Sequence, residues 1–211
     1  SGFDDVEVYG RHAEPDPDFP NVPGNSSNPE NPKVFDEIID RARQTGAELI
    51  LATDPDCDRL GVATPKSLEP DSEWATLTGN QLGALLTDYL LGHGRREGSL
   101  NSEFYVAKTL VTTELMRRIA DSYEVRTAGN LLVGFKWIGA EIDLRGPERF
   151  VFGAEESYGF LAGTHARDKD GAVAAMLAAE LAAELKSEGT TLYEKLQSLF
   201  HRFGCHTEKT V

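Results

Sequence analysis

From Trp74 onward a strand-like run is repeatedly followed by a helix-like one, and that alternation limits the fold more than any other feature of the chain. Trp74–Thr78 reads as strand and Gly79–Leu91 as helix, with Leu82, Leu85, Leu86, Tyr89 and Leu90 apolar at helical spacing. The pattern returns as strand 104–110, helix 112–122, strand 123–127, helix 135–142, strand 150–153 and helix 171–186. Helices that follow strands in this way cover a sheet, so the expected class is α/β with layered sheets covered by helices. A last helix begins at Thr190 and runs into HRFGCHTEKTV with no turn or cap.

The first third reads differently. Residues 11–32 are rich in Pro, Asn and Ser, which favours turns and extended backbone, and form a long connector. Asn31-Pro32 then opens a helix whose face carries Val34, Phe35, Ile38, Ile39 and Ala42 and which Gly46 ends. Ala47–Ala52 is expected to be a short buried strand and Leu60–Thr64 another, making Thr53–Arg59 a tight loop at strand ends. Residues 65–73 lose the apolar pattern and are expected to be a domain seam, with the boundary near residue 72.

With 35 acidic against 21 basic residues the chain carries a formal charge of -14, which opposes binding to nucleic acid or anionic membrane. There is no apolar run of about 18 residues and no signal-peptide pattern, so neither a membrane span nor export is expected and a cytoplasmic location is. Cys57 and Cys205 are too far apart in sequence to suggest a disulfide framework or zinc site, and Cys57 is expected to be a small core residue. The chain starts at Ser1 without an initiator Met and stops abruptly, so a piece of a longer polypeptide is expected.

Asp54-Pro55-Asp56-Cys57-Asp58-Arg59 sets three carboxylates at alternate positions, which a curved loop can turn onto one hard cation. Oxygen-only ligands favour magnesium over zinc. An EF-hand starting at Asp54 would need Gly at its sixth position and Glu at its twelfth, where Arg59 and Pro65 stand. A solvated acidic turn is the bland competitor. Arg59 counts against it, because a cation beside a metal site suits a phosphate shared with the ion.

Three further segments carry polar groups. Gly153–Gly159 (GAEESYG) places Glu155, Glu156 and Ser157 between glycines, a composition suited to sugar hydroxyls or to an ordinary loop. Ala166–Gly171 (ARDKDG) opens a long helix where Arg167 and Lys169 could bind phosphate, or where Asp168 or Asp170 is a plain N-cap. Lys136 sits among aromatic and apolar neighbours and is either snorkelling or directed into a site. His165 is read as structural.

In this order TDPDCDRLGVA (53–63), LTGNQLGALL (77–86), KTLVTT (108–113), LLVGFKWIG (131–139), GAEESYG (153–159) and RDKDG (167–171) resemble the α-D-phosphohexomutases, the phosphoglucomutase/phosphomannomutase family. The wording is nearest the phosphoglucomutase-2-like branch. The resemblance implies that residues 1–72 are the later part of domain 2 with its magnesium loop and 73–195 domain 3 with its sugar-binding loop. Residues 196–211 would start the connection to a fourth domain that is not here, and no segment resembles the family's serine-nucleophile motif.

The activity so implied is intramolecular phosphoryl transfer between hexose 1-phosphate and hexose 6-phosphate, through a phosphoserine and a hexose bisphosphate. Asp54, Asp56 and Asp58 match the magnesium ligands and Arg59 the arginine beside the metal. Glu155 and Ser157 match the sugar-hydroxyl contacts, and Lys169 a lysine near the substrate. Arg59 and Lys169 are thus the expected catalytic residues; Lys136 and Arg167 join Glu155 and Ser157 as expected substrate contacts. Such a piece would be inactive alone and would work with the remaining domains of the same polypeptide. Two departures stand out: Ala154 replaces a common glycine, and Gly159 stands where some bacterial members have histidine, which leaves the general base open. The choice among glucose, mannose and pentose phosphates is open too, as are a non-catalytic sugar-phosphate module and an unrelated magnesium phosphatase.

Overall fold

A computed structural model describes residues 2–208, so the last three residues of the expected connection, 209–211, lie outside the described residues. Helix and strand alternate as the sequence predicts, and the α/β class is observed.

The acidic third folds around a helix and a three-stranded sheet. Asn31 caps a 3-10 turn, Pro32–Phe35, by accepting from the Lys33 N–H; the turn runs straight into α1 (Asp36–Thr45). Gly46 then ends α1 at a φ of 71°, the left-handed conformation that glycine adopts at least cost. Strands β1 (Ile50–Thr53), β2 (Leu60–Pro65) and β3 (Trp74–Leu77) form an antiparallel sheet in the order β1-β2-β3. The expected buried strand at 47–52 is shorter and begins at Ile50, and it lies at the sheet edge with Leu51 exposed. Short apolar runs do not announce which face is covered.

The expected seam at 65–73 is the loop of a hairpin: Lys66 N–H donates to Glu73 O, and Pro65 pairs with Trp74. The sheet therefore spans residue 72. Its faces go to different cores, Ala63 packing with Val34, Phe35, Ala42 and Ile50, while Leu60, Val62 and Leu77 join the main core of the rest of the chain.

That larger part holds a four-stranded sheet, β4 (Tyr105–Thr109), β5 (Arg126–Leu131), β6 (Phe150–Ala154) and β7 (Phe160–Ala162), in the order β5-β4-β6-β7. The first three are parallel and β7 is antiparallel to β6. Helices α2 (Gly79–Arg96), α3 (Glu114–Ser122), α5 (Gly171–Ser187) and α6 (Leu192–Phe203) share a core with Val106, Phe152 and Phe160 on one face. Helix α4 (Phe135–Arg145) covers the other face through Phe135, Ile138 and Ile142, against Tyr105, Ala107 and Phe150.

Some boundaries move. Helix α2 is longer than expected and starts with a capping box between Thr78 and Gln81. Strand β5 begins at Arg126 rather than Tyr123, because α3 ends in a turn with Glu124 at a φ of 61°. Strand β7 is unexpected, being short and set between polar loops. The end of α6 does carry a cap: Gly204, φ 91°, donates its N–H to Phe200 O. Among the described residues no helix is long and apolar enough to cross a membrane.

Candidate active site

The chain runs from β4 through α3 to β5 on one side, and from β5 through α4 to β6 on the other. The order reverses between β4 and β6, and open α/β sheets bind ligands in the crevice outside the carboxyl ends of such strands. Lys108 and Thr109 end β4 there, and Glu155 follows β6.

Against this crevice the β1–β2 loop brings its three carboxylates together. Asp54, Asp56 and Asp58 each offer an oxygen, all within 4.8 Å of one another. Asp54, 8% exposed, shapes the loop: its Oδ1 accepts the backbone N–H groups of Asp58 at 3.1 Å and Arg59 at 3.0 Å. Burial, helped by the neighbouring carboxylates Asp58 and Asp56, holds the Asp54 carboxyl above its ordinary pKa. At Asp58 burial pushes the same way, but hydrogen bonds from Lys169 and Asp54 prevail and lower it. Asp58 Oδ1 is buried and, among the described residues, without a hydrogen-bond partner. An orphaned oxygen within an all-carboxylate donor set fits a hard divalent cation.

The loop is fastened to the crevice by backbone and by charge. Leu60 N–H donates to Tyr158 O at 3.0 Å, Gly171 N–H to Cys57 O at 2.8 Å, and Arg59 forms an isolated antiparallel bridge with Gly159. Lys169 Nζ lies 2.9 Å from Asp58 Oδ2 and 3.4 Å from Asp168 Oδ1. Its burial opposes the charge, but the hydrogen bond to Asp58 and the charges of Asp168 and Asp58 outweigh it and raise its pKa. Cys57 is not a core residue: it is half-buried in this loop at a φ of 56°.

Arg59 reaches from the same loop to the connector. Its Nη1 donates to Glu30 Oε1 at 2.9 Å and Asn28 Oδ1 at 3.3 Å, and its Nε lies 3.2 Å from Asp54 Oδ2. Residues 25–28, with Asp54, Asp56 and Arg59, line an open cleft of about 380 Å³. The connector is thus a wall of the site, and its two polar contacts with Arg59 were invisible in a stretch read only as turn-rich.

Glu155, 4% exposed, points Oε1 at the N–H of Gly134, 2.9 Å away at the start of α4, where the helix dipole favours an anion. Burial nevertheless keeps its pKa above 4.5, against the lowering effects of Gly134 and Lys169. Ser157 is half-buried in the same loop. Glu156, for which the resemblance implied no role of its own, accepts from Thr109 Oγ1 at 3.1 Å and Thr112 Oγ1 at 3.2 Å. Lys108 is completely buried and donates to the carbonyls of Thr109 and Thr112, with Glu114 Oε1 at 2.8 Å. The lysine and two threonines lie in KTLVTT, so the polar residues closing an otherwise apolar strand were the available signal.

Two expected contacts stand apart. Arg167 donates from Nε to Asp143 on α4 at 2.7 Å and from Nη1 to two backbone carbonyls, so the structure ties it to α4 and its own loop. Lys136 is exposed and rests its ammonium 5.6 Å from the Trp137 ring centre. Asp170 is the N-cap of α5, accepting from Val173 N–H, and also meets His165 Nε2 at 2.9 Å.

Comparison with known proteins agrees with this layout. Residues 78–203 match the phosphoglucomutase/phosphomannomutase alpha/beta/alpha domain III, and residues 1–67 match domain II of the same family. A phosphoglucomutase of Staphylococcus epidermidis is 39% identical over 98% of this chain, and one of Staphylococcus haemolyticus is 37% identical over the same share. A protein of Thermus thermophilus solved as a candidate phosphomannomutase superposes with a TM-score of 0.67 at 26% identity, over 90% of this chain and 38% of its own. The chain spans 36% of the length of the staphylococcal relatives.

Proposed function

Because the chain belongs to the phosphoglucomutase/phosphomannomutase family, we propose that it is the metal-binding and sugar-binding section of a magnesium-dependent phosphohexomutase. That enzyme is an intramolecular phosphotransferase interconverting hexose 1-phosphate and hexose 6-phosphate through a phosphoserine and a hexose bisphosphate. On this reading residues 1–72 belong to its second domain, 73–195 form the third and 196–211 lead to the fourth. The serine comes from outside these residues, and the chain alone does not turn over.

The observation carrying the reading is the meeting of the Asp54–Asp56–Asp58 cluster with Lys169, 2.9 Å from Asp58, at the carboxyl end of the sheet beside Glu155. Asp54, Asp56 and Asp58 would hold magnesium, which when bound neutralises charge on a moving phosphoryl group. Asp54 orders the loop through two backbone N–H groups, so the cost of bringing like charges together is met in folding.

Arg59 is held by Glu30 and Asp54 through Nη1 and Nε, leaving Nη2 to donate to a phosphoryl oxygen. Glu155 keeps Oε1 on Gly134 and offers Oε2 to a sugar hydroxyl, with the Ser157 hydroxyl beside it. Lys169 Nζ donates and stabilises charge next to Asp58. Lys136 can reach a substrate from its exposed position, whereas Arg167 would first have to leave Asp143.

The test is a coupled mutase assay on the longer polypeptide that carries the serine, with magnesium and glucose 1-phosphate or mannose 1-phosphate in turn, and this chain as control. Asp58→Asn is expected to lower kcat at least ~100-fold, as loss of a main charge-stabilising group does. Full activity in Asp58→Asn, or after metal chelation, would sink the reading.

A further inference from the structure

We propose that Gly159 is a positioning residue for Lys169: the missing side chain at 159 is the slot through which the lysine stem runs to reach Asp58. The proposal rests on reading Asp58 and Lys169 as parts of one site, but its geometry is independent of the reaction.

A Cβ placed on Gly159 would overlap Cδ of Lys169 outright and stand 2.9 Å from its Cγ. Its next neighbour would be Glu155 Oε2 at 3.5 Å, an ordinary contact. Gly159 is not in the left-handed region, so conformation does not call for glycine here and space does. The clash falls on the middle of the lysine stem, not on its mobile end. On its present path the stem fills that space while Nζ stands 2.9 Å from Asp58 Oδ2 and 5.9 Å from the Phe135 ring centre.

Nor can the backbone withdraw freely. Gly159 O accepts from Glu155 N–H at 2.9 Å, and Gly159 bridges to Arg59, so retreat would disturb both of those residues. A side chain at 159 and the Lys169–Asp58 pair therefore exclude one another. Through this slot the glycine loop after β6 decides where the ammonium of the α5 loop sits against the acidic loop.

The experiment uses the chain as it stands, with Gly159→Ala. Lysine acylation at fixed pH, followed by peptide mass spectrometry, is expected to show Lys169 reacting about fivefold faster once it loses its partly buried ion pair, with Lys136 unchanged. An unchanged Lys169 rate overturns the proposal. Should Gly159→Ala fail to fold, the Lys169→Ala background decides, because the stem atoms that clash are then gone. There Gly159→Ala is expected to leave the melting temperature within about 2 °C of Lys169→Ala alone. A failure to fold in that background too would mean that the glycine serves something else. If the mutase reading fails in its own assay, these two readouts still judge Gly159.

Discussion

Two polar clusters lie side by side at the carboxyl end of the large sheet, and they are built on opposite principles. In the Lys108–Thr109–Thr112–Glu156 cluster every charged group has its partner: Lys108 meets two carbonyls and Glu114, and Glu156 meets two hydroxyls. In the acidic loop three carboxylates face one another, and Asp58 Oδ1 has no hydrogen-bond partner among the described residues. A satisfied network rigidifies a scaffold, whereas an unsatisfied one holds back binding energy for a ligand. The first cluster thus anchors the loop bearing Glu155 and Ser157, and the second is the part that the proposed cation would fill.

That contrast can be broken by substitution. The largest effect is expected from Lys108→Met, which leaves two carbonyls and one side of Glu114 without their donor and should cost about 3 kcal/mol in denaturant unfolding. A loss below ~0.5 kcal/mol would mean that this cluster is not the scaffold. Glu156→Ala should cost about 1–2 kcal/mol, and Glu156→Gln, which keeps an oxygen for both hydroxyls, should recover most of it. Equal losses in the two variants would show that charge rather than hydrogen bonding holds the loop.

Glu155→Gln should raise stability at neutral pH, since burial raises the Glu155 pKa and so penalises the ionised carboxylate in the folded state. The penalty is complete above the raised folded pKa and disappears as the pH falls below the ordinary 4.5, so the gain should vanish in acid. A gain that persists in acid would assign it to packing. Smallest of all, Asp56→Ala on the exposed rim of the acidic loop should change metal-free stability by less than ~0.5 kcal/mol, yet abolish the rise in melting temperature with magnesium. Retention of that rise would remove Asp56 from the cation site.

The acidic loop was legible because its chemistry is local: alternate carboxylates between two apolar runs can converge without help from distant residues. The alternation of strand and helix was legible for the same reason, periodicity being a property of neighbours. Asn28 and Glu30 were not legible as partners of Arg59, since nothing local marks them; they meet it across 31 and 29 residues. The Asp143 partner of Arg167 was not legible either, because a basic residue before a helix looks the same in sequence whatever it pairs with.

Composition marks 65–73 as a break in the apolar pattern, and only the structure shows that Pro65 and Trp74 pair across it in one sheet. By itself, then, the sequence determined the α/β class, the carboxylate loop and the order of the polar segments, all carried by short-range pattern. Only the tertiary structure decided that Asp58, Lys169, Gly159 and Glu155 share one crevice, that the connector walls it, and that Lys108 is wholly buried. Those outcomes depend on packing and hydrogen-bond completion between segments far apart in the chain, where many partners are chemically possible and only one arrangement closes the core.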